Sequence, residues 1–344
     1  MSRFRDEIGE QPLLASRMLA DSRGAVASIA ARVRESKSRG LVLAARGSSD
    51  HAALYAKYLF GARNHMLVTL AAPSLFTSYG SPPNLDGQCV IGISQSGSSP
   101  DVVAVIEEAA RQGRLTIALT NDPESRLAHA AELHLPLGAG PERSVPASKT
   151  YVASLLALAL MSQALDPDPS FEAALGQVPP ALAAALEQDE ELDRLVPALL
   201  GPRAIVLSRG FNFCTAEEIA LKLTETSYVL ARAWSVADFE HGPVAVVEPG
   251  FPIVLVDGRG QVSAGMESIG QRLAGLGCRV VRLLDGAGDQ VAGEATVSLD
   301  SGLPEELTPL TLTVLGQLLA HRVALARGID ADRPRALNKV THTW

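Results

Sequence analysis

Serine hydroxyls are concentrated in two short segments, each placed after an apolar run and before a helical pattern. The segments are GSSD at residues 47–50 and SQSGSSPD at residues 94–101. Hydroxyls donate hydrogen bonds to phosphate oxygens without adding charge, and the N-terminus of a following helix favours an anion. One serine has another explanation, because Ser99 before Pro100 suits a helix N-cap. A single cap does not explain the other hydroxyls, which favour a phosphate-bearing ligand: Ser48, Ser49, Ser94 and Ser96.

Three charged residues are spaced so that one helix face would carry all of them. Glu218, Lys222 and Glu225 lie at i, i+4 and i+7 in the segment TAEEIALKLTET. Such a face is usually a solvated salt-bridge surface. Thr215 with Glu218 three residues later also fits a capping box, in which both side chains serve the helix end. From the residues alone, Glu225 is therefore expected at the surface.

Short apolar segments alternate with helical patterns along the chain, which is typical of parallel sheets covered by helices. Residues up to about Lys37 have apolar side chains at helical spacing. Strands are predicted at Leu41–Ala45, Cys89–Ser94 and Leu115–Leu119. The segment PDVVAVIEEAARQG predicts a helix with proline in its first turn and glycine at its end. The predicted fold class is α/β, with helices on both faces of each parallel β-sheet.

The order of these elements repeats in the second half of the chain. The segment AIVLSRG parallels LVLAARG, PIVLVDGRG parallels CVIGISQSG, and VVRLLD parallels LTIALTN. The copies differ after the next strand, where DGRGQVSA has one serine in place of the serines of SQSGSSPD. We therefore expect the first copy to bind something that the second does not. The predicted domains are residues 1–185 with the serine segments, 186–328 with the charged helix, and a tail at 329–344 that closes the active site.

Composition excludes several classes of partner. The chain has 344 residues, of which 47% are hydrophobic, and this allows about two domains with large cores. A formal net charge of −8 argues against nucleic-acid binding. Cys89, Cys214 and Cys278 are far apart and fit isolated core residues better than a zinc site. The N-terminus lacks an apolar signal core, and YVASLLALALMSQAL is too short to span a bilayer. We expect a cytoplasmic protein without a membrane partner.

The serine segment at residues 94–101 resembles a segment of a known family. The segment ISQSGSSPD resembles the phosphosugar-binding loop of sugar isomerase (SIS) domains. The tandem pair is similar to the isomerase half of glucosamine-6-phosphate synthase over nearly the whole chain. The resemblance implies two tandem SIS domains, each a flavodoxin-like three-layer sandwich. It also implies that the phosphate is held by these residues: Ser94, Gln95, Ser96, Ser99, Ser48 and Ser49.

A second segment, ERSVPASKTY, resembles the E-x-GVASTK segment of the same family, which lines the sugar site through a valine. At the matching positions the resemblance implies sugar contacts from Val145, Gly47 and Glu218. The synthases usually carry cysteine where this chain has arginine before the GSS motif. The departures from the family pattern are Arg46, Pro146, His342 and Trp344.

The charged helix belongs to the longest matching segment. The run LKLTETSYVLARAWSVADFEHGPVAV resembles the synthase signature LKLKEISY…E-x-KHGP-x-AL, and DADRPRALNKVTHTW resembles the closing DPDKPRNLAKSVT. The resemblance implies that Glu225 shuttles a proton between C1 and C2, with Lys222 as its neighbouring cation. It implies that His241 helps to open the sugar ring from across a homodimer interface, and that Lys339 contacts the open-chain sugar. Four histidines without a motif are expected to be structural: His51, His65, His129 and His134.

The implied reaction is an aldose–ketose isomerisation of a phosphorylated amino sugar. A full synthase takes ammonia through an amidotransferase domain with an N-terminal catalytic cysteine, whereas this sequence begins MSRF. We therefore expect deamination of glucosamine 6-phosphate to fructose 6-phosphate and ammonia. The alternatives are galactosamine 6-phosphate or fructosamine 6-phosphate as substrate, or a sugar-phosphate sensor without catalysis. No metal or nicotinamide cofactor is expected, because GSS and SQSG lack the GxGxxG spacing.

Overall fold

The computed structural model describes residues 2–286 and 294–339. Strands and helices alternate through most of these residues, as the sequence predicts. The elements are α1 (Arg3–Gly9), α2 (Gln11–Asp21), α3 (Arg23–Ser36), β1 (Gly40–Ala44), α4 (Ser48–Asn64), β2 (Leu67–Leu70), β3 (Gln88–Ser94), α5 (Pro100–Arg111), β4 (Thr116–Thr120), α6 (Arg126–Ala130), β5 (Leu133–Pro136), α7 (Lys149–Leu165), α8 (Pro169–Gly176), α9 (Val178–Glu187), β6 (Arg203–Ser208), α10 (Phe213–Ser227), β7 (Leu230–Ser235), α11 (Val236–Glu240), β8 (Pro252–Gly258), α12 (Ser263–Gly275), β9 (Arg279–Asp285), β10 (Glu294–Leu299) and α13 (Thr308–Ala326). Short 3₁₀ turns lie at Pro73–Leu75, Glu190–Arg194, Val196–Leu199, Gly210–Asn212, Pro243–Val246 and Glu305–Leu307.

The described residues divide into two compact units, each built on one sheet. The first unit comprises residues 13–142, 149–176 and 338–339, and the second comprises residues 2–12, 143–148, 177–286 and 294–337. The predicted boundary at residues 185/186 falls inside α9. That boundary and the one at 328/329 stay predictions.

Both sheets are parallel and have the same strand order. The first is ordered β2-β1-β3-β4-β5 and the second β7-β6-β8-β9-β10, so the element order repeats as predicted. This order is that of flavodoxin-like doubly wound sheets, whose ligands bind outside the carboxyl ends of the strands. The predicted α/β class with two helix-flanked parallel sheets is confirmed. The edge strands β2, β5, β7 and β10 were not predicted, and their side chains are more exposed than those of the central strands.

In the first unit, β1, β3 and β4 are almost wholly buried, which explains their continuous apolar sequences. Helix α5 turns its valines and Ile106 onto this sheet. The apolar run YVASLLALALMSQAL forms most of α7, a buried helix of 17 residues. Its hydrophobicity on all sides therefore reflects a core position.

Helix α13 is the core helix of the second unit and packs against α10 and α9. The stretch Glu305–Ala326 is long and apolar enough to cross a membrane, but 83% of it is buried within the fold. Gly316 of α13 lies against α10, where an added Cβ would come within 2.2 Å of the Ile219 Cγ1 atom. The close approach of the two helices therefore depends on a residue without a side chain. All three cysteines are buried, which confirms their prediction as core residues.

Candidate active site

The two serine segments of the first unit lie at the same edge of its sheet. Strands β1 and β3 pair in parallel with Ala44 opposite Gly92, so their carboxyl ends are adjacent. Gly47 is the N-cap of α4, and Ser48 and Ser49 form its first turn. On the neighbouring strand, Ser94 ends β3 and is buried. The sequence thus places the hydroxyls together, as predicted, at the end of the sheet where ligands bind.

The loop after β3 is held in one conformation by its neighbours. Gly97 has φ +61°, a left-handed conformation that glycine adopts readily, and its N–H donates to the Ser94 Oγ atom at 3.2 Å. A Cβ on Gly97 would lie 2.1 Å from the Ser125 Oγ atom, so no side chain fits. The Gln95 carbonyl accepts a hydrogen bond from the Asn121 N–H at 3.1 Å. The loop is therefore preorganised.

Ser99 occupies the N-cap position of α5, as predicted, but its side chain makes no capping hydrogen bond among the described residues. Its hydroxyl instead lies 3.4 Å from the Ser94 Oγ atom. Ser96 accepts a hydrogen bond from the Ser98 N–H at 3.3 Å. Because the cap bond that would account for Ser99 is not made, its hydroxyl belongs with the others that converge at this helix N-terminus.

An ion pair ties the two serine segments together. The Arg46 Nε atom donates to the Asp101 Oδ2 atom at 2.6 Å, and Asp101 is 1% exposed. The other Asp101 oxygen accepts the Val102 N–H at 2.9 Å. The Arg46 side chain is 49% exposed. Burial raises the pKa of nearby Asp50, against the charges of His51 and Arg46, which lower it.

The charged face of α10 in the second unit is buried, contrary to the expectation of a solvated surface. The side chains of Glu218 and Lys222 are each 1% exposed, and that of Glu225 is 22% exposed. The Lys222 Nζ atom lies 2.6 Å from the Glu225 Oε2 atom and 3.4 Å from the Glu218 Oε1 atom. One ammonium thus sits between two carboxylates, and Glu225 alone of the three keeps a substantial exposed surface.

The capping-box interpretation of Thr215 and Glu218 is wrong. Helix α10 begins at Phe213 with Asn212 as its N-cap, so both residues lie inside the helix. The Thr215 hydroxyl donates to the Asn212 Oδ1 atom at 3.2 Å. The turn Gly210–Asn212 starts the helix earlier than the TAEE pattern indicates. Glu218 is therefore available to Lys222.

Val145 lies half-buried in a segment of the second unit, residues 143–148, whose backbone is clamped by Glu7. The Glu7 carboxylate accepts the Arg143 N–H and the Ser144 hydroxyl, both at 2.5 Å. On the other side, the Gln317 side chain of α13 donates to the Ser148 carbonyl at 3.2 Å. Sequence reasoning did not identify Glu7, because its partners are far away along the chain.

Lys339 of the first unit is paired with a buried acid that the sequence did not single out. Its Nζ atom donates to the Glu142 Oε2 atom at 2.7 Å. Glu142 also accepts the Thr150 N–H at 3.0 Å and the Thr150 hydroxyl at 2.8 Å. The only hint in the sequence was the Glu that opens ERSVPASKTY. His342 and Trp344 lie outside the described residues, as does the end of the predicted tail.

His241 follows α11 in the second unit and is exposed. Its N–H donates to the Asp238 carbonyl at 3.2 Å. The four histidines predicted to be structural are in the first unit: His51 in α4, His65 as the cap of α4, His129 in α6 and His134 in β5. No cluster of three or more metal-ligating side chains occurs within residues 2–286 and 294–339.

In the second unit, the loop at residues 257–264, which corresponds to the serine loop, is bound by side chains of the same unit. The Glu305 carboxylate accepts the Gln261 N–H at 2.8 Å, and the Ser263 hydroxyl accepts the Gly260 N–H at 2.8 Å. Burial raises the pKa of Glu305, against the lowering effect of the Gln261 hydrogen bond. The two copies thus differ in structure where their sequences differ.

The geometry therefore consists of a hydroxyl-lined strand edge and Lys339 in the first unit, and the α10 acids, Val145 and His241 in the second. Residues 36–163 and 201–327 each match the SIS domain. The chain belongs to the SIS domain family, and the predicted tandem arrangement is confirmed.

Curated relatives point to one group within this family. The chain is 32% identical over 343 residues to a glutamine–fructose-6-phosphate aminotransferase (isomerizing) of Thermococcus kodakarensis, covering 97% of this chain and 56% of the relative. A Bradyrhizobium diazoefficiens protein of the same name is 31% identical over 354 residues. The chain spans about half the length of the curated relatives it matches.

Solved structures share the fold of this chain. A Silicibacter pomeroyi protein proposed to be a phosphosugar isomerase is 34% identical, with a TM-score of 0.89 over 96% of this chain and 100% of that one. The C-terminal domain of glucosamine-fructose-6-phosphate aminotransferase from Francisella tularensis has a TM-score of 0.87, at 24% identity over 97% of this chain and 98% of that domain. A glucosamine-6-phosphate deaminase from Thermotoga maritima shares the fold, with a TM-score of 0.78 at 21% identity over 99% and 100% of the two chains.

Proposed function

We propose that this protein is a phosphosugar aldose–ketose isomerase that deaminates glucosamine 6-phosphate to fructose 6-phosphate and ammonia. The observation that carries the proposal is the α10 triad, in which Lys222 is buried between Glu218 and the partly exposed Glu225. Burying charges is costly even when they are paired, and Glu225 is the member of the triad whose carboxylate stays partly exposed to a substrate. The names of the relatives support an isomerase acting on hexose phosphates.

The phosphate is assigned to the serine segments of the first unit. Ser94 and Ser99 hydroxyls converge at the N-terminus of α5, where backbone N–H groups and the helix dipole favour an anion. Gln95, Ser96, Ser48 and Ser49 complete the proposed set. Gly47, Val145 and Glu218 are the proposed sugar contacts.

In the proposed mechanism Glu225 carries the proton. After ring opening, its carboxylate takes the proton from C2 of the open-chain aldehyde and returns it to C1. A proton passes from the amino group to O1, which leaves a hydroxyl at C1 and an imine at C2. Water adds at C2 and ammonia leaves, so that the ketose phosphate is formed. Lys222, at 2.6 Å, fixes the orientation of the Glu225 carboxylate and offsets its repulsion with Glu218. No cofactor is assigned to these steps.

Ring opening is assigned to His241, because an imidazole can both donate and accept a proton in a transfer to the ring oxygen. We propose that His241 acts in the site of a partner subunit, and its exposure is compatible with that role. The protein would then be an obligate homodimer. Lys339 is the proposed contact to the open-chain sugar. A cytoplasmic location completes the proposal, since three buried cysteines that form no disulfide with one another suit a reducing compartment.

The proposal is tested by incubating the purified protein with glucosamine 6-phosphate and measuring ammonia and fructose 6-phosphate together. We expect equal amounts of both products. The variant Glu225→Gln should lower kcat by at least about 100-fold while leaving sugar-phosphate binding largely intact, because general-base catalysis typically contributes 10²–10⁴-fold. Glu217→Gln, about two turns before Glu225 on the same helix, is the matched control and should keep normal activity.

The outcomes separate the alternatives. Near-normal turnover by Glu225→Gln would show that the base is assigned wrongly. Turnover of galactosamine 6-phosphate or fructosamine 6-phosphate, but not of glucosamine 6-phosphate, would keep the chemistry and change the substrate. Binding of all three without any product would indicate a sugar-phosphate sensor.

A further inference from the structure

We infer that Arg46 is a phosphate-binding residue that selects dianionic ligands, and this inference rests on the proposed function of the serine segments. Arg46 is the only lysine or arginine in the sequence of residues 46–50 and 94–101. The hydroxyls of these segments are neutral donors, whereas a sugar phosphate brings up to two negative charges. A guanidinium at this edge would supply the missing positive charge.

The position of Arg46 is fixed by Asp101 and not by the ligand. Its Nε atom is bound to the Asp101 carboxylate at 2.6 Å, and Asp101 lies in the first turn of α5, two residues after Ser99. The guanidinium is therefore held beside the helix N-terminus at which the Ser94 and Ser99 hydroxyls converge. Because Asp101 binds the Arg46 Nε atom, the Nη1 and Nη2 groups can bind a second partner. The Arg46 side chain is half exposed. A guanidinium presents paired N–H groups that suit phosphate oxygens.

A simpler role for Arg46 is to neutralise the buried Asp101. Two arguments favour a direct role. One Asp101 oxygen accepts the Val102 N–H, and the other could be satisfied by a neutral donor in place of Arg46. In addition, Asp50 lies in the first turn of α4 directly after Ser49, and its negative charge would repel an anionic ligand. A cation between these acids and the ligand is needed if the ligand is a dianion.

The experiment measures the affinity of the full-length protein for inorganic phosphate and for glucosamine 6-phosphate by calorimetry. The variants are Arg46→Ala, Asp101→Asn and the double variant, and the folding of each is checked by thermal unfolding. We expect Arg46→Ala to weaken both affinities by about 10- to 100-fold, because charge-assisted hydrogen bonds contribute on this scale. In turnover assays KM should rise by the same factor with kcat little changed, as for an interaction kept throughout the reaction.

Arg32→Ala is the matched control. Arg32 is a half-exposed arginine of the same unit, paired with Glu132 at 2.6 Å, and its loss should leave phosphate affinity within about twofold of the wild type. Arg46→Lys should recover part of the affinity, since it keeps the charge but not the paired N–H groups.

The possible results distinguish the assignment of Arg46 from the proposed reaction. Unchanged phosphate affinity in Arg46→Ala, or its restoration in the Arg46→Ala/Asp101→Asn double variant, would show that Arg46 only neutralises Asp101. A wild-type protein that binds phosphate through Arg46 but turns over no amino-sugar phosphate would refute the proposed reaction and leave the Arg46 assignment standing. A wild-type protein that binds neither phosphate nor glucosamine 6-phosphate would refute both.

Discussion

Replacing Lys222 by methionine tests whether the α10 triad is a buried charge cluster with the geometry described above. Methionine keeps the length of the side chain but removes the ammonium. Glu218, at 1% exposure, would then be a buried carboxylate that has lost its cation at 3.4 Å. Removing one partner of a buried ion pair typically costs 3–5 kcal/mol, because the remaining charge is left uncompensated. Glu225, at 22% exposure, can be solvated and should add little to this loss.

The expected loss for Lys222→Met is therefore about 3–5 kcal/mol in the free energy of unfolding. For a domain of 150–250 residues, 1 kcal/mol shifts Tm by roughly 2–4 °C, so the second unit should unfold some 6–20 °C earlier. Urea and thermal unfolding at pH 7, followed by circular dichroism, measure both quantities. The two units can unfold separately, so the transition of the second unit must be fitted by itself.

A second substitution makes the test specific. If the loss comes from a stranded carboxylate, Glu218→Leu in the Lys222→Met background should recover most of it, because an apolar pair of similar volume removes the buried charge. Glu218→Leu alone should be destabilising. A Lys222→Met variant within about 1 kcal/mol of the wild type, or a double variant no more stable than the single one, would refute the buried-cluster interpretation.

Two further predictions concern the packing and the acid stability of the second unit. Gly316→Ala should destabilise it by about 1–3 kcal/mol, because the new methyl overlaps Ile219, and Ile219→Ala should relieve part of this overpacking in the double variant. Asp189→Asn should cost about 1–3 kcal/mol at pH 7. Burial by itself would raise the pKa of Asp189, but hydrogen bonds from Arg322 and Arg5, each at 2.7 Å, lower it below its ordinary 3.8. Its contribution is thus complete above pH 3.8 and is lost as the pH falls further, so the stability difference between wild type and variant should close in that range.

Controls for these two predictions come from the chain itself. Gly24→Ala in α3, where an added Cβ meets no atom within 4 Å, should stabilise by about 0.5–1 kcal/mol. Equal destabilisation by both glycine substitutions would contradict the packing argument. If the free energies of unfolding of Asp189→Asn and wild type differ by the same amount at pH 7 and at pH 3, the argument from the ionised Asp189 carboxylate is wrong.

The central strands could be predicted from the sequence, whereas the edge strands could not. Strands β1 and β3 are covered on both faces, so each is a continuous apolar run. Strand β2 is half exposed, and its sequence LVTL has too few residues to show a period. The three central strands of each copy were enough to predict the duplication. They occur in the same order along the chain in both copies.

The spacing of Glu218, Lys222 and Glu225 predicted a shared helix face but not its burial. A periodic charged face has the same sequence pattern whether water or another helix covers it. Helix α13 packs on α10, with Gly316 at the contact. This tertiary contact cannot be read from a local sequence pattern. Glu7 and Glu142 went unidentified for a related reason, since their partners lie at residues 143–144 and 339.

The loop at residues 257–264 of the second unit, which Glu305 binds, has a consequence for binding stoichiometry. A duplicated domain would ordinarily offer two equivalent anion sites in each chain. Here Glu305 supplies the carboxylate that the Gln261 N–H binds, and a Cβ on Gly260 would lie 1.9 Å from that carboxylate, so a phosphate would meet a negative charge already in place. Titration with a sugar phosphate should therefore saturate at one equivalent per chain, although the fold is present twice.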